Sequence, residues 1–249
     1  MLKVTKFGGS SLCDSAGFSR VREIVLADPA RRVVVVSAAG RRHAADHKIT
    51  DLLYLCHAHL TYGVSCADIL AAIRSRFVSI RDELGLSYRV EDEFDAYAAT
   101  LSRDTSVDEL VSRGEYFTAR LMAETLGYAF VDAADCVFFG FDGQFDRART
   151  DAAIAAALEK NARIVLPGFY GRVPTGKIKV MTRGGSDITG ALAAAAVNAD
   201  VYENWTDVSG ILMADPRIVE NPRPIPRITY AELRGDVRLI DVDFGYEPN

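Results

Sequence analysis

Lys6 stands immediately before Phe7, a glycine pair (Gly8, Gly9) and two serines, Ser10 and Ser11. A backbone without Cβ atoms can approach a phosphate closely, its N–H groups can donate to it, and a lysine adds a mobile positive charge. The order excludes a P-loop, where the lysine follows the glycines in G-x-x-x-x-G-K-[ST]. A tight turn before a helix explains the same residues. Three other stretches mix glycine with charge. "TRGGSDITGALAAAA" (182–196) feeds a small-residue helix whose start carries Ser186 and Asp187. Those two read as an N-cap, whereas Arg183 beside free N–H groups suits bidentate capture of a carboxylate. Asp187 could also orient a lysine. In "WTDVSGILMADPR" (205–217), Thr206 and Asp207 suit a base or ribose and Arg217 suits phosphates, or the stretch is a polar turn broken at Asp215-Pro216. Glu115, in "SRGEYF" (112–117), reads by itself as part of a solvated helical face.

The elements that must position these residues alternate. "LKVTKF" (2–7) reads as a strand, followed by a helix opened by Asp14 or Ser15 with Phe18, Val21, Ile24 and Val25 at helical spacing. "RRVVVVSA" (31–38) is a β-branched run suited to a strand buried on both faces, ending in a turn at Ser37 to Gly40. Residues 48–126 read as consecutive helices, an insertion expected to form a subdomain or lid beside the strand ends. Strands then recur at "YAFVDA", "CVFF", "RIVLPG" (163–168) and "DVYENW" (200–205), with helices over 151–160 and 187–197. Beyond Pro216 the chain is proline-rich and loop-like. A short helix near 229–234 and a strand "VRLIDVDF" are expected to close it. Alternation of this kind predicts an α/β fold with a mainly parallel sheet.

Composition bounds the partners. The chain has 249 residues, 49% of them apolar, enough for a substantial core in one large domain. A net charge of −5 lacks the basic footprint that nucleic acids require, but a few local charges still suffice for a small anion. No stretch approaches the roughly 18 apolar residues of a membrane span, and no basic, apolar leader opens the chain. A cytoplasmic location with no membrane partner is the expectation. Cys13, Cys56, Cys66 and Cys136 lack metal-site spacing and read as buried free thiols.

In order and separation, "KFGGSS", "KITDLL", "SRGEYF", "LPGFYG", "TRGGSDITG" and "WTDVSGILMADPR" resemble the catalytic domain of the aspartate kinases, within the amino acid kinase family. The resemblance runs over residues 3–234, and "VPTGKIKVMTRGGSDITG" with "NADVYENWTDVSGILMADPR" is similar to the branch common in clostridia. It implies a three-layer αβα sandwich around a mainly parallel eight-stranded sheet, formed by one catalytic domain over 1–249. It also implies ATP-dependent phosphorylation of the side-chain carboxylate of L-aspartate, the entry to lysine, threonine and methionine synthesis. By the same likeness Lys6 contacts the transferring phosphoryl group, Asp187 holds Lys6, and Gly8, Gly9 and Ser10 cradle phosphates through backbone N–H. Thr206, Asp207 and Arg217 fall where the family binds ATP, and Mg²⁺ arrives with the nucleotide. Arg183 pairs with the aspartate α-carboxylate and Glu115 with its α-ammonium, while Thr50, Phe169 and Ser186 complete the pocket.

Three departures stand out. Thr182 occupies a position where many relatives have glycine, and Leu212 one where many have tyrosine. After "ITYAEL" the family continues to a segment like "GAKVLHP", whose lysine is a second phosphate contact, and then to paired ACT domains. Here residues 235–249 read differently, with Arg238 as the candidate substitute for that lysine, and no ACT domain is expected. Relatives dimerise through those domains, so this chain is expected as a monomer or a different homodimer. A non-catalytic nucleotide or amino acid binding subunit, and a kinase for another small amino acid, are the alternative readings.

Overall fold

A computed structural model of the chain describes residues 1–181 and 184–205. Strand β1 (Lys3–Phe7) leads through one 3-10 turn (Gly9–Leu12) into α1 (Ser15–Leu26). Asp14 caps α1, its side chain accepting from the Gly17 N–H, and Phe18, Val21 and Val25 are buried along one stripe. After β2 (Arg31–Val36) come four helices, α2 (Ile49–Tyr62), α3 (Ala67–Leu84), α4 (Val90–Ala98) and α5 (Val107–Leu126). Gly63, Gly85 and Gly127 stop α2, α3 and α5 in the left-handed conformation that glycine tolerates best. Then follow β3 (Ala129–Phe130), α6 (Ala133–Cys136), α7 (Arg147–Asn161) and β4 (Ile164–Pro167). An antiparallel pair, β5 (Tyr170–Arg172) and β6 (Ile178–Val180), precedes α8 (Gly185–Ala196) and β7 (Val201–Trp205).

The main sheet has the order β3-β4-β2-β1-β7, and every pairing in it is parallel. Successive side chains of a strand point to opposite faces, and the valine run of β2 serves two cores at once. Val34 and Val36 join Phe18, Val21 and Val25 of α1 and buried residues of α2 to α5. Val33 and Val35 join Ile154 and Leu158 of α7 and Leu192, Ala193 and Ala194 of α8. The result is a three-layer αβα sandwich, with α1–α5 on one face and α6–α8 on the other. Each of these four valines is fully buried, which contributes on the order of 1.5–3 kcal/mol per side chain.

From β1 the chain passes through α1, in one layer, to β2. From α8, in the opposite layer, it reaches β7 on the other side of β1. The carboxyl ends of β1 and β7 thus flank the point where the connections diverge, where open parallel sheets bind ligands.

Three expectations change. The helical stretch 48–126 forms no detached lid: Ile49, Leu53, Ile73, Phe77, Leu110 and Phe117 belong to the same cluster as α1 and β2. They supply most of one layer of the sandwich. "CVFF" is not a strand, because Asp132 caps the short helix α6, ending at Cys136, and Phe138 and Phe139 make only isolated bridges to Arg172 and Phe145. "YAFVDA" contributes only the two residues of β3. The β5–β6 hairpin, turning through 173–177, was not anticipated. Five of the eight strands implied by the resemblance form the main sheet among the described residues; the closing helix and strand expected beyond residue 228 lie outside them. All four cysteines are buried free thiols, and burial pushes the Cys56 thiol up to about 12. No helix among the described residues is long and apolar enough to cross a membrane.

Candidate active site

Lys6 has the same strand parity as Val4, which belongs to the α6–α8 core, and its side chain is only 8% exposed. Its Nζ lies 2.8 Å from Asp187 Oδ1 in the first turn of α8. A carboxylate there is also favoured by the helix dipole. Asp187 is not the cap itself. Gly184 holds that position at φ +79°, so Ser186 and Asp187 fall inside the first turn and their side chains stay available.

The turn after β1 is built by close backbone contact. Gly9 O accepts from the Gly40 N–H at 2.9 Å. A Cβ at Gly9 would lie 2.5 Å from the Ala38 carbonyl oxygen, and one at Gly40 would lie 2.6 Å from Gly9 O. Only glycine fits at both places, so the ends of β1 and β2 are locked together. Gly9 and Ser10 open the 3-10 turn, where the first N–H groups have no partner within the turn and can meet an anion. Gly8 differs from the expectation: its N–H donates to the Trp205 carbonyl at 3.1 Å, because the β1–β7 ladder extends one residue past the strand. Its remaining contribution is space beside Lys6, whose Nζ would lie 3.8 Å from a Cβ there.

Glu115 lies on α5 and is not on a solvated face. It is 5% exposed, its Oε2 has no hydrogen-bond partner among the described residues, and burial pushes its carboxyl up to about 8, partly offset by the Ala38 N–H. The neighbouring Gly114 brings α5 this close, since a Cβ there would stand 3.0 Å from Ala38 Cβ and 3.3 Å from Ile49 and Leu53 side-chain atoms. Ala38 therefore links the two halves of the site, with Gly9 against its carbonyl oxygen and Glu115 near its N–H. Thr118 Oγ1 accepts from the Ala39 N–H at 3.2 Å, and the Ile49 N–H donates to the Ala39 carbonyl at 3.2 Å, fixing the start of α2 and its half-buried Thr50.

Phe169 takes a left-handed conformation, φ +76°, which a bulky residue adopts only when its surroundings impose it. Its N–H donates to Thr189 Oγ1 at 3.1 Å and its carbonyl accepts from the Met181 N–H at 2.7 Å. Two close approaches bring α8 against this bend. A Cβ at Gly168 would fall 2.6 Å from the Ser186 side chain, and one at Gly185 would fall 2.8 Å from Phe169 Cδ2. Lys6, Asp187, Ser186 and Phe169 thus converge around the N-terminus of α8, and Gly9 and Glu115 meet at Ala38. Arg183, Thr206, Asp207, Arg217 and Arg238, with Thr182 and Leu212, lie outside the described residues.

Sequence reasoning missed Gly40, Thr189 and Asn204. The first was read only as the end of a turn, although Arg41 and Arg42 follow it directly. Thr189 lies within "TRGGSDITG", but the role of its buried hydroxyl is visible only once Phe169 is known to be bent. Asn204 donates to Asp187 Oδ1 at 3.0 Å. It is the register partner of Lys6 across the β1–β7 ladder, a relation that needs the strand order.

Among known proteins, the model of the amino acid kinase family matches residues 1–248. Aspartokinase 3 of Bacillus subtilis is 34% identical over 247 residues, covering 94% of this chain and 54% of its own length. The crystal structure of Clostridium acetobutylicum aspartate kinase superposes with a TM-score of 0.86 at 45% identity, over 94% of this chain and 54% of that one. Escherichia coli aspartokinase III, solved with aspartate and ADP, gives a TM-score of 0.74 at 30% identity, over 90% of this chain and 53% of that one. The chain spans about half the length of the relatives it matches.

Proposed function

The chain belongs to the amino acid kinase family, and on that premise we propose that it transfers the γ-phosphoryl group of ATP to the side-chain carboxylate of L-aspartate, giving 4-phospho-L-aspartate. The observation that carries this reading is the pairing of Lys6 with Asp187 at the carboxyl end of β1, with the buried Glu115, one of whose oxygens has no partner among the described residues, on the other side of Ala38. The relatives named as aspartokinases, and one of them solved with aspartate and ADP, support it.

The acceptor is already an anion at neutral pH, so no strong base is needed. A carboxylate oxygen attacks the γ-phosphorus, the bond to the bridging oxygen breaks, and ADP leaves with that electron pair. Catalysis then rests on alignment and on neutralising charge. Lys6 directs N–H groups at the transferring phosphoryl while Asp187 holds its ammonium in place. Gly9 and Ser10 offer backbone N–H groups to the phosphates, beside the space left by Gly8. Thr206, Asp207 and Arg217 are assigned to the nucleotide, and Arg238 to the charge that the family's second lysine supplies. Magnesium, held mainly by phosphate oxygens and water, would offset negative charge at the same place.

On the acceptor side, Glu115 meets the α-ammonium and Arg183 the α-carboxylate, with Thr50, Phe169 and Ser186 as walls. A carboxyl buried without a cation is stabilised as an anion only when a cation arrives, which selects for a free amino group. N-acylated acids are disfavoured because acylation removes that charge. The test is acyl phosphate formation, trapped as a hydroxamate, from ATP, Mg²⁺ and L-aspartate. Signal with L-aspartate and none with N-acetyl-aspartate is expected. Absence of signal with aspartate, or equal signal with the acetylated acid, overturns the reading.

A further inference from the structure

Asp187 is the only carboxylate against Lys6 among the described residues, yet its side chain is 47% exposed and has two torsions free to turn it toward solvent. Something must keep it aimed. Asn204 and Lys6 are register partners on adjacent parallel strands, so their side chains leave the sheet on the same face. Both reach the same atom: Lys6 Nζ lies 2.8 Å and Asn204 Nδ2 3.0 Å from Asp187 Oδ1. A carboxylate only accepts, so the Asn204 amide must donate. The backbone beneath is fixed from the same strand. Tyr202 donates its hydroxyl to the Asp187 carbonyl at 3.3 Å, in a space that exists because residue 190 is glycine; a Cβ there would lie 2.5 Å from that hydroxyl oxygen.

We propose that Asn204 is a positioning residue, whose amide fixes the Asp187 carboxylate so that the carboxylate in turn holds the Lys6 ammonium between the ends of β1 and β7. A neutral donor suits this place. A lysine or arginine would compete with Lys6 for Asp187, and an aspartate would compete with Asp187 for Lys6. Among the described residues Asp187 engages one N–H of Nζ, which leaves two others for a ligand. For turnover the inference rests on the phosphoryl-transfer reading above; for geometry it does not.

The test is a double-mutant cycle on the full chain, read two ways. In Asn204→Ala, kcat falls roughly 10- to 150-fold, the range of a hydrogen bond to a charged group, with KM for aspartate nearly unchanged. Asp187→Ala/Asn204→Ala turns over no more slowly than Asp187→Ala, because the amide acts only through the carboxylate. The second reading needs no activity: acetic anhydride labelling of Lys6, quantified by mass spectrometry. Labelling rises about threefold or more in either single variant and no further in the double. If that pattern appears in chains that form no acyl phosphate, the phosphoryl-transfer reading fails and the role of Asn204 stands. Unchanged Lys6 labelling in Asn204→Ala, or effects that multiply in the double variant, overturns it.

Discussion

The two halves of the site treat charge in opposite ways. Around β1 and α8 the cation is matched internally: Lys6 has Asp187, and Asp187 has Asn204. Behind Ala38, Glu115 has backbone N–H groups near it, and one of its oxygens has no partner among the described residues. A matched pair is ordered before any ligand arrives and can act in a transition state without rearrangement. An unmatched buried carboxyl stores a cost that a ligand cation relieves, which suits recognition. On the proposed reading, the half assigned to phosphoryl transfer is preorganised, and the half assigned to recognition is completed by its ligand.

The sharpest way to break this contrast is to remove Lys6. Lys6→Ala should lower kcat in the hydroxamate assay by about 10²-fold or more, as losing a donor to developing charge does elsewhere. A loss confined to KM for aspartate would place Lys6 in recognition instead. Glu115→Gln should act in the reverse sense, raising KM for aspartate by about 10-fold or more with a smaller change in kcat.

The pH dependence sharpens the same point. In the folded chain the Glu115 carboxyl titrates at about 8, above its ordinary value of 4.5. The native state therefore holds more protons than the unfolded one between these values, and this group's contribution to stability declines as pH rises from 4.5 to 8. Denaturant titrations should show that decline in the ligand-free chain and its absence in Glu115→Gln. Pairing with an ammonium requires the ionised carboxyl, so KM for aspartate should fall as pH rises from about 6.5 to about 8. A flat profile, identical in Glu115→Gln, would remove Glu115 from recognition.

Smaller effects test the scaffold. Gly168→Ala drives a methyl into Ser186, which must displace α8 from the end of β4 and cost about 1–3 kcal/mol by overpacking. Thermal unfolding and turnover should fall together; a stable but slow variant would separate the position of α8 from the stability of the core. Least of all should follow from Arg74→Ala, which breaks the exposed Arg74–Asp95 pair between α3 and α4. Its turnover should match the parent chain.

Legibility in the sequence followed the range of each interaction. The β2 valines, a helix start at Asp14 or Ser15 and the four helices of 48–126 were readable because periodicity and capping are local. "CVFF" misled because an apolar run of four suits a strand or the end of a capped turn equally, and Asp132 decided it. The β5–β6 hairpin was overlooked although its turn, "VPTGK", carries the proline and glycine that mark one. Glu115 had the pattern of a solvated residue, since nothing within its own helix shows that Gly114 packs α5 against Ala38.

The sequence by itself determined the alternation of strands and helices, the glycine turn after β1 and the residue types able to meet a phosphate and an amino acid. Those depend on propensity and spacing along one stretch of chain. Tertiary structure alone decided that Lys6 meets Asp187, that Asn204 reaches the same carboxylate, and that one oxygen of the buried Glu115 has no partner among the described residues. Those contacts join residues far apart in sequence, and strand order, register and the close approach of glycine backbones bring them together.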